Sequence, residues 1–372
     1  MDENGLYHGW LMPEMPKEGI CWRDASDSCF KIYGLITESI YHNEMAVYER
    51  LPQEIAEQAV SQEMPYLAHT TTGGRLRFRT DSRYVAIRCY WDELYEVPHQ
   101  PAGATSGFDL YLTEDGVSRY YKTLMPPRFA RNRQKGFRQI VYFETEKMRD
   151  VTIYFPIMNH VKQLEIGLEE QAEVLPGEKY RFPDPVVYYG SSITNGGCAS
   201  RPGNTYEGFV SRALNLDQRN MGFSDSARGD IAVAEYIAKL DMCAFVFDYD
   251  HNAPNPEWLR KTHYPFYEII RKAKPDIPII CMSRPMFELN DVAEPGNREV
   301  DAKERKAIIL ETIKRAQNAG DNKIYFVDGS KLFAGDCSDA CTVDGLHPND
   351  LGFYRMAQAL TPVLKQALEI EY

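Results

Sequence analysis

Two short segments, far apart in the chain, hold the residue types that a hydrolytic reaction needs. Gly190-Ser191-Ser192-Ile193-Thr194-Asn195-Gly196-Gly197 sets hydroxyls into a glycine-bounded turn directly after the apolar run Val186–Tyr189. Asp344-Gly345-Leu346-His347-Pro348 sets a carboxylate three residues before a histidine. Within one turn such a carboxylate can accept from imidazole Nδ1, which fixes the tautomer and leaves Nε2 free as a base. A serine needs that base, because its hydroxyl is a poor nucleophile at neutral pH. Each segment alone has a plain explanation, a tight turn in one case and a turn with a helix cap in the other. Their occurrence together, after the first and last apolar strands of one half, weighs against both plain readings.

Other chemistries for these residues fail on spacing. The 190–197 turn is no phosphate-binding loop, since its glycines are wrongly spaced and no lysine follows. It is no α/β-hydrolase nucleophile elbow either, because Thr194 stands where the second glycine must be. Asp248, Asp250 and Asn252 have the first spacings of a calcium loop, but Ala253 replaces its sixth-position glycine and Leu259 its closing glutamate. Asn252, following a buried run, is instead a fitting side-chain donor to a developing oxyanion. His251 beside it is read as a packed loop residue.

The elements that must position these groups change character near residue 180. Before it, apolar and polar residues alternate with period two, at Arg75–Arg79, Tyr84–Tyr90, Asp109–Leu112, Gly136–Phe143, Val151–Phe155 and Gln163–Leu168. That is the pattern of half-buried strands. Many short strands without helical filler predict an all-β sandwich or jelly roll over residues 1–178, with one helix at 44–62. After Pro185, short apolar runs (Val186–Tyr189, Ala244–Phe247, Ile277–Met282, Ile324–Val327) alternate with helical periods. The clearest helix is Arg298–Ala319, closed by Gly320; Asn255-Pro256-Glu257 opens another, and Asn349-Asp350 the last. This alternation predicts a three-layer α/β/α domain with a parallel sheet over residues 179–372, joined through the proline-rich stretch 174–185. Ligands of such sheets bind at the carboxyl ends of the strands, where both reactive segments fall.

Composition narrows the partners. Lys and Arg number 42 against 54 Asp and Glu, a net charge of −12, which disfavours nucleic acid and anionic lipid surfaces. The local exception, Arg128, Arg131, Arg133, Lys135 and Arg138, reads as a solvated loop between strands. No run approaches the roughly 20 apolar residues of a membrane helix. The N-terminus starts acidic with no apolar stretch, so cytoplasmic localisation is expected. The eight cysteines form no CxxC pair, which removes the usual zinc and thioredoxin-like readings; Cys337 and Cys341 are expected to be ordinary thiols.

Taken together, Gly190-Ser191-Ser192-Ile193-Thr194, Asn220-x-Gly222-Phe223-Ser224, Asn252 and Asp344-x-x-His347 resemble, in order and spacing, the four blocks of the SGNH (GDSL-type) hydrolases. Gly107-Phe108-Asp109-Leu110-Tyr111 is similar to the GxDLY motif of the β-sandwich domain that precedes many bacterial members. The resemblance implies Ser192 as nucleophile, His347 as base and Asp344 as its orienting partner. It implies an oxyanion hole from Asn252 and the backbone N–H of Ser192. The third donor belongs to a position that is glycine in the family and Asp225 here, with Ser226 as a neighbouring alternative. A carboxylate aimed at an oxyanion would repel it, so Asp225 is expected to offer its N–H and turn its side chain toward solvent or Arg228. Ser191 also replaces the aspartate that usually precedes the nucleophile.

The resulting expectation is a serine esterase removing short acyl groups, acetate first, from a small-molecule or oligosaccharide substrate. No metal or organic cofactor, nucleic acid or membrane is called for, and an oligomer stays open. A lipase, phospholipase or thioesterase would share every catalytic residue and differ in its acyl pocket. A non-catalytic carbohydrate-binding protein on the same scaffold is the further alternative, and Asp225 is its support.

Overall fold

The computed structural model describes residues 7–8, 14–36, 48–127, 135–285 and 298–371. Contacts divide the chain into two compact units. One comprises Met1–Arg50, His69–Tyr180 and Ser200–Gly203, and the other Leu51–Ala68, Arg181–Ala199 and Asn204–Tyr372.

The first unit is built from strands β1 (Tyr7–His8), β2 (Ile20–Asp24), β3 (Lys31–Tyr33), β4 (Arg75–Thr80), β5 (Tyr84–Tyr90), β6 (Phe108–Glu114), β7 (Val117–Leu124), β8 (Gly136–Tyr142), β9 (Arg149–Tyr154), β10 (Gln163–Glu169) and β11 (Val174–Pro176). They form two sheets, ordered β1-β8-β5-β10-β2 and β11-β4-β9-β6-β7, with β3 also pairing β4. All pairings are antiparallel except β1 with β8. The inward residues of the two sheets, among them Phe78, Ile87, Phe108, Phe137, Ile153 and Ile166, merge into one core. A shared core between two sheets is a β-sandwich.

The opposite face of β4 is less wet than its alternation predicts. Arg77 Nη2 stands 3.0 Å from Asp150 Oδ2 with both side chains 4% exposed, and its guanidinium lies 4.4 Å from the Tyr180 ring centroid. Period two reports which residues share a face, and a planar guanidinium that stacks and pairs can be buried on the polar one.

The GxDLY segment has a clear local task. Asp109 is fully buried on β6; its Oδ1 accepts from Thr123 Oγ1 at 2.7 Å. Its Oδ2 accepts from the Gly203 N–H at 2.8 Å and Arg201 Nη1 at 3.1 Å. Arg201 Nη1 also meets the Tyr111 hydroxyl at 2.5 Å. The motif therefore grips the four residues Ser200–Gly203.

The helix expected over 44–62 is not formed as one piece. Residues 44–47 lie outside the described set, and the remainder holds only the single turn α1 (Gln53–Ala56), with α2 (Met64–Ala68) after it. Pro52 is the reason: it fits the entry to a helix but not its interior, and it disfavours helical geometry at Leu51 before it. Both helices belong to the second unit; α3 (Ala102–Thr105) adds one turn to the first. Of the basic run, Arg128, Arg131 and Arg133 lie outside the described residues.

The second unit carries β12 (Val186–Gly190), β13 (Gln218–Gly222), β14 (Ala244–Asp248), β15 (Ile279–Met282) and β16 (Ile324–Val327) in one parallel sheet of order β13-β12-β14-β15-β16. Its helices are α4 (Ser192–Asn195), α5 (Tyr206–Leu214), α6 (Ile231–Lys239), α7 (Pro256–Ala273), α8 (Arg298–Asn318) and α9 (Asp350–Ala367). Helix α5 packs with α9, and α7 with both α6 and α8. Right-handed crossovers put these two groups on opposite faces of the sheet, giving three layers. The Asn255 side chain caps α7 by accepting from the Trp258 N–H at 2.8 Å, as the Asn-Pro-Glu sequence requires. One edge strand escapes the apolar pattern. Asn220–Gly222, the start of the second family-like block, completes β13, whose Asn220 side chain donates to the Thr194 carbonyl at 2.6 Å.

The chain leaves β12 for β13 on one side, then returns to β14 on the other. The carboxyl end of β12 is thus the topological switch point, where an open α/β sheet leaves a crevice. No helix among the described residues is long and apolar enough to cross a membrane.

Candidate active site

Strand β12 ends at Gly190, and the chain turns at once into the single turn of α4. Ser191 caps that turn, its Oγ accepting from the Ile193 N–H at 3.2 Å. Gly196 ends it in the left-handed region, with φ 90°. Gly190, Gly222 and Asp248 sit side by side across the adjacent strands β12, β13 and β14. A Cβ on Gly190 would overlap the Asp248 carboxyl and the Thr194 hydroxyl, and one on Gly222 would overlap the Asn195 backbone. Glycine at both positions lets the turn settle onto the strand ends, presenting Ser192 above them.

Ser192 Oγ lies 2.9 Å from His347 Nε2, and His347 Nδ1 lies 2.7 Å from Asp344 Oδ2. The other Asp344 oxygen accepts from the N–H groups of Leu346 at 3.0 Å and His347 at 2.7 Å. Gly345, with φ 80°, supplies the reversal that lets one carboxylate reach both backbone and ring. Partial burial opposes ionisation of Asp344, but its bonds from the His347 ring and the two N–H groups prevail and hold the carboxyl down to about 2. A permanent anion therefore faces Nδ1. The Asn349 side chain then caps α9 by accepting from the Leu351 N–H at 3.0 Å.

The oxyanion candidates can be followed one by one. Asn252 Nδ2 donates one hydrogen to the Phe223 carbonyl at 2.8 Å, leaving the second. The N–H groups of Ser192 and Asp225 meet no acceptor among the described residues. Ser226 is otherwise engaged: its N–H donates to the Phe223 carbonyl at 3.0 Å and its hydroxyl lies 2.8 Å from that of Ser61. Asp225 takes φ 53°, a conformation glycine adopts freely and aspartate tolerates. Its side chain is 93% exposed, with Oδ2 3.8 Å from Arg228 Nη2. The carboxylate faces outward, as expected.

Several supporting groups carry no sequence signal. Arg305, buried on α8, donates through Nη1 to the carbonyls of Asp250 at 2.5 Å and Ala253 at 2.8 Å. Its Nε reaches Asp301 at 2.8 Å. Asp250 Oδ2 accepts from the Arg284 N–H at 3.0 Å. Cys198 Sγ lies within 4.8 Å of a His347 ring nitrogen. Burial first, and Asp344 second, push its thiol up to about 12, so Ser192 has no thiolate rival. His251 is held neutral by burial, and its Nε2 has no partner among the described residues.

Residues 183–365 match the GDSL-like lipase/acylhydrolase family, and residues 20–174 match the N-terminus of SGNH-hydrolase-type esterases, the GxDLY domain. No curated protein matches the chain. Among solved structures, a GDSL-like lipase from Bacteroides ovatus ATCC 8483 is 26% identical, with TM-score 0.81 over 95% of this chain and 99% of its own. The salicylyl-acyltransferase of a tetracycline biosynthetic pathway is 18% identical, with TM-score 0.78 over 95% of this chain and 99% of its own. An acetyl xylan esterase from the rumen bacterium Butyrivibrio proteoclasticus shares the fold at 13% identity, with TM-score 0.56 over 95% of this chain and 100% of its own. Two family matches that succeed one another along the chain, on the fold and loops just described, make this protein a member of the SGNH (GDSL-type) hydrolases with an N-terminal GxDLY domain.

Proposed function

We propose that the protein is a serine esterase that removes short acyl groups, acetyl foremost, from a carbohydrate substrate. The observation that carries this reading is the unbroken chain from Ser192 Oγ through His347 to Asp344, with links of 2.9 and 2.7 Å. Ser192 Oγ attacks the ester carbonyl while Nε2 of His347 takes its proton. Asp344 keeps the imidazole in the required tautomer and stabilises the imidazolium that forms. The negative charge on the carbonyl oxygen is received by the Ser192 and Asp225 N–H groups and the second hydrogen of Asn252 Nδ2. His347 then protonates the leaving alcohol, and water repeats the sequence on the acyl-enzyme.

The short-acyl, sugar-ester part is supported by the fold shared with an acetyl xylan esterase and by the lack of a basic amphipathic lid in the sequence. The outward carboxylate of Asp225 supports the catalytic reading over a non-catalytic binding protein. A series of aryl esters from acetate to decanoate tests the reading, together with acetate release from acetylated xylo-oligosaccharides. The expected result is a kcat/KM highest for acyl groups of two to four carbons. A steady rise toward decanoate would assign the chain to the lipases instead, and a preference for acyl thioesters to the thioesterases.

A further inference from the structure

Beneath the Ser192 turn lies a carboxyl that the triad does not use. Asp248 ends β14 and is buried. Its Oδ1 is hydrogen-bonded to the Thr194 hydroxyl, and its Oδ2 accepts from the Tyr206 hydroxyl at 3.0 Å. Thr194 belongs to the turn that presents Ser192, and its carbonyl is fixed from the other side by Asn220 at 2.6 Å. Four residues beyond Asp248 stands Asn252. One carboxyl thus holds the floor of the nucleophile turn at the root of the loop that carries an oxyanion donor.

The charge around it decides its working form. The groups facing Asp248 are Thr194 from α4, Tyr206 and Glu207 from α5, and Asp250 from the following loop. None is a cation, and Glu207 is itself fully buried. An ionised Asp248 would be an uncompensated charge in a dry interior, close to two further acids. A neutral carboxyl avoids that and still bonds both hydroxyls, since Thr and Tyr oxygens can give or accept. Burial accordingly pushes the Asp248 carboxyl up to about 8.

We propose that Asp248 is a positioning residue that works as the neutral acid, locking Thr194 and so the Ser192 turn while keeping the floor beneath the oxyanion uncharged. This rests on Ser192 acting as the esterase nucleophile. Ionisation would place a negative charge behind the turn, where it opposes the negative charge that develops on the substrate oxygen. Activity should therefore fall as pH rises past about 8.

The test compares wild type with Asp248→Ala and Asp248→Asn in the full chain. The readouts are pH profiles of aryl acetate hydrolysis and the rate of Ser192 labelling by a fluorophosphonate. Asp248→Ala should lose on the order of 100-fold in both, through kcat rather than KM, and Asp248→Asn should recover most of that loss. Asn cannot ionise, so its profile should lack the decline near pH 8. An identical alkaline decline in wild type and Asp248→Asn would overturn the proposal, as would an Asn variant no better than Ala. Labelling needs an activated serine but no particular substrate. Wild-type labelling without ester turnover would therefore fault the esterase reading and leave the Asp248 comparison intact. A melting experiment covers the case of no labelling at all. A carboxyl raised on folding favours the folded state below its unfolded pKa, and that advantage drains away as pH rises from about 4 to about 8. Wild type should lose melting temperature relative to Asp248→Asn across that window, and parallel curves would overturn the neutral-acid assignment.

Discussion

Asn252 Nδ2 donates to the carbonyl of Phe223 at 2.8 Å, and this bond ties two loops of the site together. Phe223 also donates its own N–H to the Gly190 carbonyl at 2.9 Å, at the strand end from which the Ser192 turn departs. Its carbonyl is shared with the N–H groups of Ser226 and Ala227. A single residue therefore sets the spacing of three segments. The second hydrogen of Asn252 is oriented by the first, so the donor is aimed before substrate arrives.

Replacing the nucleophile gives the most direct check. Ser192→Ala should lower kcat/KM on an activated acetate ester by a factor on the order of 10⁴ or more, with the melting temperature preserved. His347→Ala should lose about as much, because triad members act as a unit. Wild-type turnover in the Ser192 variant would place the nucleophile elsewhere.

Asp225→Gly should leave turnover within roughly tenfold of wild type. A carboxylate about 4 Å from the oxyanion would cost on the order of 4 kcal/mol at an effective dielectric of about 20, near a thousandfold in rate. The observed side chain, 93% exposed beside Arg228, escapes that cost. A gain of several hundredfold on substitution would mean that the carboxylate visits the hole.

The Asp344 carboxyl, held down to about 2, makes a prediction about acid. A carboxyl lowered on folding stabilises the folded state above its unfolded pKa, and that contribution is lost as pH falls from about 4 to about 2. Asp344→Asn lacks it at every pH. The gap in melting temperature between wild type and Asp344→Asn should narrow as pH drops from 5 to 2, and a constant gap would contradict the assignment.

Asp109→Asn should weaken the fold. An amide can keep its oxygen toward the Gly203 N–H and Arg201 and turn its NH2 to the Thr123 hydroxyl, but it removes the negative charge that pairs with the Arg201 guanidinium. The cost should be about 1–3 kcal/mol, read as a lower urea midpoint for the first unfolding transition. An unchanged midpoint would show that Ser200–Gly203 is secured without the motif.

How much of this was legible in the sequence depends on the physics each residue obeys. Buried strands such as Ala244–Asp248 announce themselves by apolar runs, and the triad by a carboxylate and imidazole within one turn. Strand β13 does not, because it is polar in sequence: Arg219 and Asn220 find partners that only the fold supplies, the Tyr236 hydroxyl at 3.0 Å and the Thr194 carbonyl at 2.6 Å. The supposed 44–62 helix failed on a local rule, the proline at 52. Ser61 reaching Ser226 at 2.8 Å joins positions 165 residues apart, and no periodicity encodes that. Arg305 is the sharpest omission. On a helix read for its apolar stripe, an arginine looks like surface until its carbonyl partners are seen.

That arginine supports the last prediction. Its Nη1 takes the carbonyls of Asp250 and Ala253, the residues two before and one after Asn252, and so clamps the oxyanion loop from both sides. Arg305→Met keeps most of the apolar stem while removing every donor. Loss of one oxyanion donor outright costs about 10²–10³ in kcat; loosening its loop should cost less, on the order of tenfold to a hundredfold, with KM within about threefold. Arg305→Lys should recover little, since one ammonium cannot hold the forked geometry that reaches two carbonyls and Asp301. The decisive comparison is a double-mutant cycle with Asn252→Ala. If Arg305 acts by aiming Asn252, Arg305→Met should cost little further kcat once Asn252 is gone. Independent, multiplicative losses would reduce the clamp to a contribution to stability and remove Arg305 from the catalytic account.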